Sequence, residues 1–211
     1  MDAKNHPIQH LVIAIISLTL VSVFHFLLKI PWSTSLGRAS YILLFLILTI
    51  GPFMKLKKPT GTLSPFMTPW SWRGELGIWF TLTALTHFIV LLFKRSFFDL
   101  IKIGGAGYGL ANFIGLIALF IALLLAATSF RKIIVFIGIE SWKWLHSLTY
   151  VIFYLVSAHF IYFQYFSTYG EVGPDWFGYT AAIMAIIIII LQLFAFIATT
   201  KKYRQKANSV K

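Results

Sequence analysis

The chain contains no cysteine, and its 211 residues include only six acidic side chains. Without a thiol there are no disulfides, no thiolate metal ligation, no iron–sulfur cluster and no cysteine-based redox relay. Charge of either sign is thin, at 11% of residues, and long polar stretches are missing. The longest segment outside the apolar runs, Lys55 to Glu75, is short and rich in Pro, Gly and Thr, so no soluble domain is expected. No small-residue cleavage site follows the first apolar run, which is therefore expected to stay as a span and not to leave as a signal peptide. What remains is 59% hydrophobic and 18% aromatic. Several runs approach the roughly 20 apolar residues that cross a bilayer. The composition predicts an all-α membrane protein.

Six spans are expected, at about 11–28, 40–54, 76–93, 108–128, 142–166 and 176–200, forming a six-transmembrane helix bundle in one domain over residues 1–211. Gly51-Pro52 is expected to kink or end the second. The sixth, with Ile186 to Ile190 consecutive, reads as lipid-facing. Trp70, Trp72, Trp142, Trp144 and Trp176 fall at expected ends, as interfacial aromatics do. The net charge of +12 would suit nucleic acid, yet the bases sit in short segments flanking apolar runs. Thirteen of the 18 lie on the side of the N-terminus; only Lys29, Arg38, Lys94, Arg95 and Lys102 lie on the other. That asymmetry predicts a lipid-embedded chain with both termini cytoplasmic, and no nucleic-acid partner. Arg131 to Lys143 and Lys94 to Lys102 are candidates for short interfacial helices.

Three histidines, His87, His146 and His159, lie inside apolar segments. An ionisable group at membrane depth is costly unless it faces the bundle interior with a partner. Imidazole is a usual axial ligand of haem iron, and three such residues on two helices in a cysteine-free chain point to haem. At 1.5 Å per residue, counted from Arg73 and Lys143, His87 lies about 21 Å deep and His159 about 24 Å. One iron can sit between two ligands at matching depth. His146, at about 4.5 Å, lies near the cytoplasmic interface, where a histidine can also simply face water. The competing reading of all three is polar contact within the bundle, to Ser, Thr or a backbone carbonyl. His146 and His159, 13 residues apart, differ by about 140° on an ideal helix. Both face the interior only if the fifth helix is kinked, carries a π-bulge or turns around the bundle.

Other polar residues carry blander expectations. His25 is expected to pack under the outer loops, and His6 and His10 to be solvated. Asn112 and Gln192 read as glue between helices. The glycines Gly104, Gly105, Gly107 and Gly109 follow no strand, so they read as a flexible lead into the fourth span and not as a phosphate loop. No carboxylate stands out inside a span, which argues against a proton- or cation-coupled transporter.

Several ordered motifs resemble those of ferric-reductase-like transmembrane proteins. They are Leu36-Gly-Arg38; Arg73-Gly-Glu-Leu-Gly-Ile-Trp79 with Leu85-Thr-His87; Asn112-Phe-Ile-Gly115 with Ala127-Thr-Ser129; and Trp142-Lys-Trp-Leu-His146, Tyr150 and Ala158-His159-Phe160. Within that superfamily the length and six spans most resemble the haem-binding membrane subunit of the periplasmic methionine sulfoxide reductase system (the MsrQ/YedZ family), over roughly residues 36 to 200. The resemblance implies one or two b-type haems in the bacterial inner membrane. It also implies electrons drawn from a quinol or a cytoplasmic flavin reductase and delivered to a periplasmic molybdenum-containing reductase subunit. Family ligands carry over onto His87, His146 and His159. Where the family pattern calls for a second inner ligand, this chain has Arg73. Arg73 is then expected to pair with haem propionates or a flavin phosphate, FMN included, or else to be an ordinary interfacial anchor. Two further readings stay open: a ferric reductase or oxidase core acting at the outer face, and a non-redox transporter or structural protein.

Overall fold

The computed structural model describes residues 7–56, 69–102, 108–166 and 174–208, and every regular element among them is helical. Six helical stretches are long and apolar enough to cross a membrane, so the chain is a multi-pass membrane protein. Helix α1 covers Pro7–Ser22 and runs on into a π-helical turn at Val23–Leu27. Helix α2 covers Trp32–Leu56 and α3 Pro69–Leu92; α4 is a short connecting piece at Phe97–Ile101. Helix α5 covers Tyr108–Ala127, and α6 (Arg131–Ile137) forms the return on the near face, the face where α1 begins. The fifth span consists of α7 (Ile139–His146), α8 (Thr149–Ile161) and a π-helical turn at Tyr162–Phe166. Helix α9 is the last, Trp176–Asn208.

Helix α2 is the central strut. Within its span 61% is buried, against 17% for that of α9, because α2 packs on α1, α3 and α9 and touches α8. Leu43, Leu44, Ile47 and Leu48 are essentially inaccessible, whereas Ile186, Ile189, Leu193 and Phe196 of α9 are exposed. Outward apolar side chains need a hydrocarbon solvent, so α9 is the lipid-facing helix expected from its isoleucine run.

Two element boundaries differ from the hydropathy reading. Helix α2 begins at Trp32, and Pro52 neither ends it nor stops it reaching Leu56. Its first turns hold Ser33, Ser35, Arg38 and Ser40, all buried between helices. Polarity there looks like a loop in sequence but is helix–helix packing in space. Arg38 is thus not a loop charge. It is 4% exposed, ion-paired to Asp175, with its guanidinium carbon 5.0 Å from the Phe177 ring centroid. Asp175 in turn accepts from the backbone N–H groups of Phe177 and Gly178, both at 3.0 Å, capping α9. The pair ties the far end of α2 to the start of the last span.

Helix α3 likewise starts at Pro69, which draws Glu75 into the third span; its carboxylate is buried and Oε2 has no hydrogen-bond partner among the described residues. A buried membrane carboxylate is present after all. Asn112 does act as glue, donating to the Leu100 carbonyl at 2.8 Å and joining α5 to α4. His25 packs against the connection between α1 and α2, stacked on Trp32 at 3.9 Å with Nδ1 donating to the Ile30 carbonyl at 2.8 Å. His6 and Gly104, Gly105 and Gly107 lie outside the described residues.

Candidate cofactor-binding site

The membrane histidines fall at two levels. Toward the far face, where α2 and α9 begin, His87 comes from the last turns of α3 and His159 from the end of α8. The Nδ1–H of His87 donates to the Ser33 carbonyl at 2.6 Å, and that of His159 to the Ala111 carbonyl at 2.7 Å. A carbonyl only accepts, so Nδ1 carries the proton and Nε2 keeps the lone pair of each neutral ring. Both carbonyls lie in the first turns of their helices, α2 and α5, so four spans converge on one depth.

Glycine makes the approach possible. A Cβ on Gly115 would lie 2.8 Å from Nδ1 of His159 and 3.0 Å from its Cε1, closer than packed atoms tolerate. A Cβ on Gly37 would lie 3.4 Å from both Nδ1 and Cε1 of His87, tight but nearly tolerable. The two imidazoles are within electrostatic reach of each other, although α3 and α8 barely touch directly among the described residues. Each helix instead packs on α5, and α3 most heavily on α2. The two rings are thus brought to the same end of the bundle by helices that each pack on α5.

At the near level the environment differs. His146 ends α7, its ring 4.2 Å from that of Trp142 and tilted by 35°. Among the described residues its buried Nε2 has no hydrogen-bond partner, and neither has the buried indole N–H of Trp142. Arg73, in the first turns of α3, is within electrostatic reach of His146 and of Tyr150. Gly51 lies beside both: a Cβ there would be 3.7 Å from Arg73 Nη1 and 3.7 Å from the Tyr150 hydroxyl. The four residues singled out from sequence thus form two pairs, His87 with His159 and Arg73 with His146.

The angular conflict on the fifth span is narrowed, at most, by a break between its histidines, where the Ser147 N–H bonds both Lys143 at 3.1 Å and Trp144 at 3.0 Å. The N–H groups of Ser147, Leu148 and Tyr150 bond three residues back, to Trp144, Leu145 and Ser147, each at 3.0 Å. A 3₁₀ step turns about 120° against 100° in an α-helix, so three of them add roughly 60° and cut the 140° offset to roughly 80°. The π-helical turn lies beyond His159 and plays no part in this rephasing.

Ser33, Ala111, Gly37 and Gly115 were not among the candidate residues from sequence. Backbone acceptors have no residue signature. The glycines did carry a signal, since small residues in apolar spans mark close approach. Among the described residues no group of three or more His, Asp or Glu side chains converges as a bare metal site.

Comparison with curated proteins returns no match. Comparison with protein-family models matches residues 36–157 to the ferric reductase like transmembrane component. The matched segment contains Gly37, Arg73, His87, Gly115 and His146, and it stops two residues short of His159. It covers more than half of the chain, which thus belongs to the ferric-reductase-like transmembrane family.

Proposed function

We propose that the protein is a transmembrane electron-transfer subunit that holds a b-type haem between His87 and His159. One observation carries this reading: two imidazoles from different spans, at one depth, each with Nδ1 committed to a carbonyl and Nε2 left to ligate. A haem would bring four nitrogens of its own, so His87 and His159 would suffice to hold it where a bare ion would need more protein ligands. The bound haem would supply one-electron ferric–ferrous chemistry. The chain's own residues do the rest. The Ser33 and Ala111 carbonyls orient the rings and raise their basicity, and Gly37 and Gly115 make room for them. The surrounding apolar side chains keep water and dielectric low.

The near level suits a second cofactor, a haem or FMN. Leaving buried polar nitrogens unpaired costs about 1–3 kcal/mol each, and here His146 Nε2 and Trp142 Nε1 both wait for a partner. Arg73, always protonated, is a poor iron ligand, but its guanidinium forms bidentate bonds to a propionate or a phosphate. The resemblance to the membrane subunit of the methionine sulfoxide reductase system supplies the wider reading. In it, electrons come from a quinol or a cytoplasmic flavin reductase and go to a periplasmic molybdenum-containing reductase, across the bacterial inner membrane. The basic excess beside the near face supports cytoplasmic termini.

A visible spectrum with haem quantification of detergent-purified protein tests the first claim. A Soret band with sharp α and β bands on reduction is expected; protein without them from haem-replete cells rules the reading out. Reporter fusions at Lys211 and in the 167–173 segment test the orientation, and should report opposite compartments.

A further inference from the structure

Two basic residues far apart in sequence meet at the near end of the bundle. The Lys202 ammonium of α9 donates to the Lys55 carbonyl of α2 at 3.3 Å. That carbonyl lies in the last turn of α2, where no helical N–H follows to pair with it, and a cation is favoured at such an end. An ammonium has three N–H donors, so this contact fixes Lys202 in place while engaging one of them. Lys55 and Lys202 are both exposed, as are Lys201 and Arg204 on the same helix end. Among the described residues the near face offers one exposed carboxylate, Glu140, and that is paired with Lys143.

Beside this pair an open-sided cleft of about 230 Å³ lies between α2, α8 and α9, with Pro52, Lys55, Phe196 and Thr199 in its wall. The Thr199 hydroxyl donates back to the Ala195 carbonyl at 2.7 Å, so with Pro52 and Phe196 it gives a wall that is apolar below Lys55. Phe53 of α2 and Leu193, Phe196 and Ile197 of α9 are exposed, so these helices meet hydrocarbon on their outer sides. Along α9 the rise from Trp176 is about 30 Å to Phe196 and about 39 Å to Lys202. A hydrocarbon core is about 30 Å thick, which puts Phe196 at its near boundary and Lys202 among the headgroups.

These positions define one ligand chemistry, a phosphate at headgroup depth joined to a chain that enters from the bilayer. Lysine takes a phosphate as a point charge. Lysines without an intervening carboxylate favour a headgroup of net negative charge over a zwitterion, whose own ammonium they repel. The cleft is smaller than the roughly 300–1,000 Å³ sites of drug-sized ligands, so it takes part of one acyl chain and not a whole lipid. An acidic soluble protein would meet Lys201 and Arg204 but leave the apolar wall unused. We infer that Lys55 and Lys202 bind the phosphate of an anionic glycerophospholipid, with one acyl chain lying along the cleft. The lipid then clasps α9, whose span is 17% buried, to α2, whose span is 61% buried. This site goes beyond the electron-transfer reading and does not depend on it.

Native mass spectrometry of the delipidated full-length protein, titrated with phosphatidylglycerol or phosphatidylcholine, tests it. One phosphatidylglycerol should bind at low lipid, at least fivefold more tightly than phosphatidylcholine. Affinity should fall at least fivefold in Lys202→Gln, which removes a cation, and in Thr199→Phe, which fills the cleft. Lys132→Gln, which removes a near-face charge away from the cleft, should bind as wild type. If Lys202→Gln folds poorly, Lys55→Gln takes its place. Equal binding of the two lipids, unchanged affinity in the folded charge variant or in Thr199→Phe, or an equal loss in Lys132→Gln overturns the site. Displacement by glycerol phosphate at the lipid's own concentration would show that a free phosphate suffices, and would overturn the lipid assignment.

Discussion

The far and near levels use the same residue type under opposite conditions. At the far level each imidazole is fixed by a carbonyl at 2.6 or 2.7 Å and backed by a glycine, so ring position and tautomer are set before any cofactor arrives. At the near level His146 has an aromatic neighbour, an unpartnered Nε2 and a cation opposite it. The difference teaches that a histidine's depth does not by itself define its role; the partner on its other nitrogen does. A pre-oriented pair suits tight axial ligation. A loosely held histidine beside an arginine suits a cofactor that brings its own anionic groups.

The strongest way to break this contrast is to move a far-level ring without touching it. In Gly115→Ala the new methyl would lie 2.8 Å from His159 Nδ1, so the ring must leave the Ala111 carbonyl. Most of the principal haem should be lost, read as haem per protein. Gly37→Ala meets His87 at 3.4 Å and should lose only a minor part, with a shifted α band. Equal effects from both would contradict the graded cradle. Arg73→Ala should weaken retention of whatever cofactor the near level holds and leave the far-level spectrum intact, which separates the two levels functionally. The smallest effect concerns the scaffold. Asp175→Asn leaves the buried Arg38 guanidinium without its charge partner, and Asp175 itself is 41% exposed, so the penalty is muted. A fall in melting temperature on the order of 5 °C with normal haem content is expected. Loss of haem in that variant would show that the Arg38–Asp175 tie also positions Gly37.

Much of this contrast was legible in the sequence, because depth along a helix is only a count. His87 and His159 come out level since both spans rise from the near face, and Arg73 and His146 fall together for the same reason. The start of α2 was not legible: Ser33, Ser35 and Arg38 lower the hydropathy although each is buried. The carbonyl partner of each far-level ring was hidden because any residue can present one. The fifth span showed its problem as an angular mismatch, but the 3₁₀ step at Ser147–Leu148 has no residue that announces it. Gln192 reads as glue between helices, yet its amide Nε2 is buried without a hydrogen-bond partner among the described residues, an outcome that residue type alone does not reveal.

The central claim is that one iron lies between His87 and His159. Electron paramagnetic resonance of the oxidised protein tests it most directly, in wild type and in the His87→Ala, His159→Ala and His146→Ala variants. The account predicts a low-spin ferric signal that vanishes in the first two variants and persists in the third. Persistence in either far-level variant, or disappearance in His146→Ala alone, would contradict it.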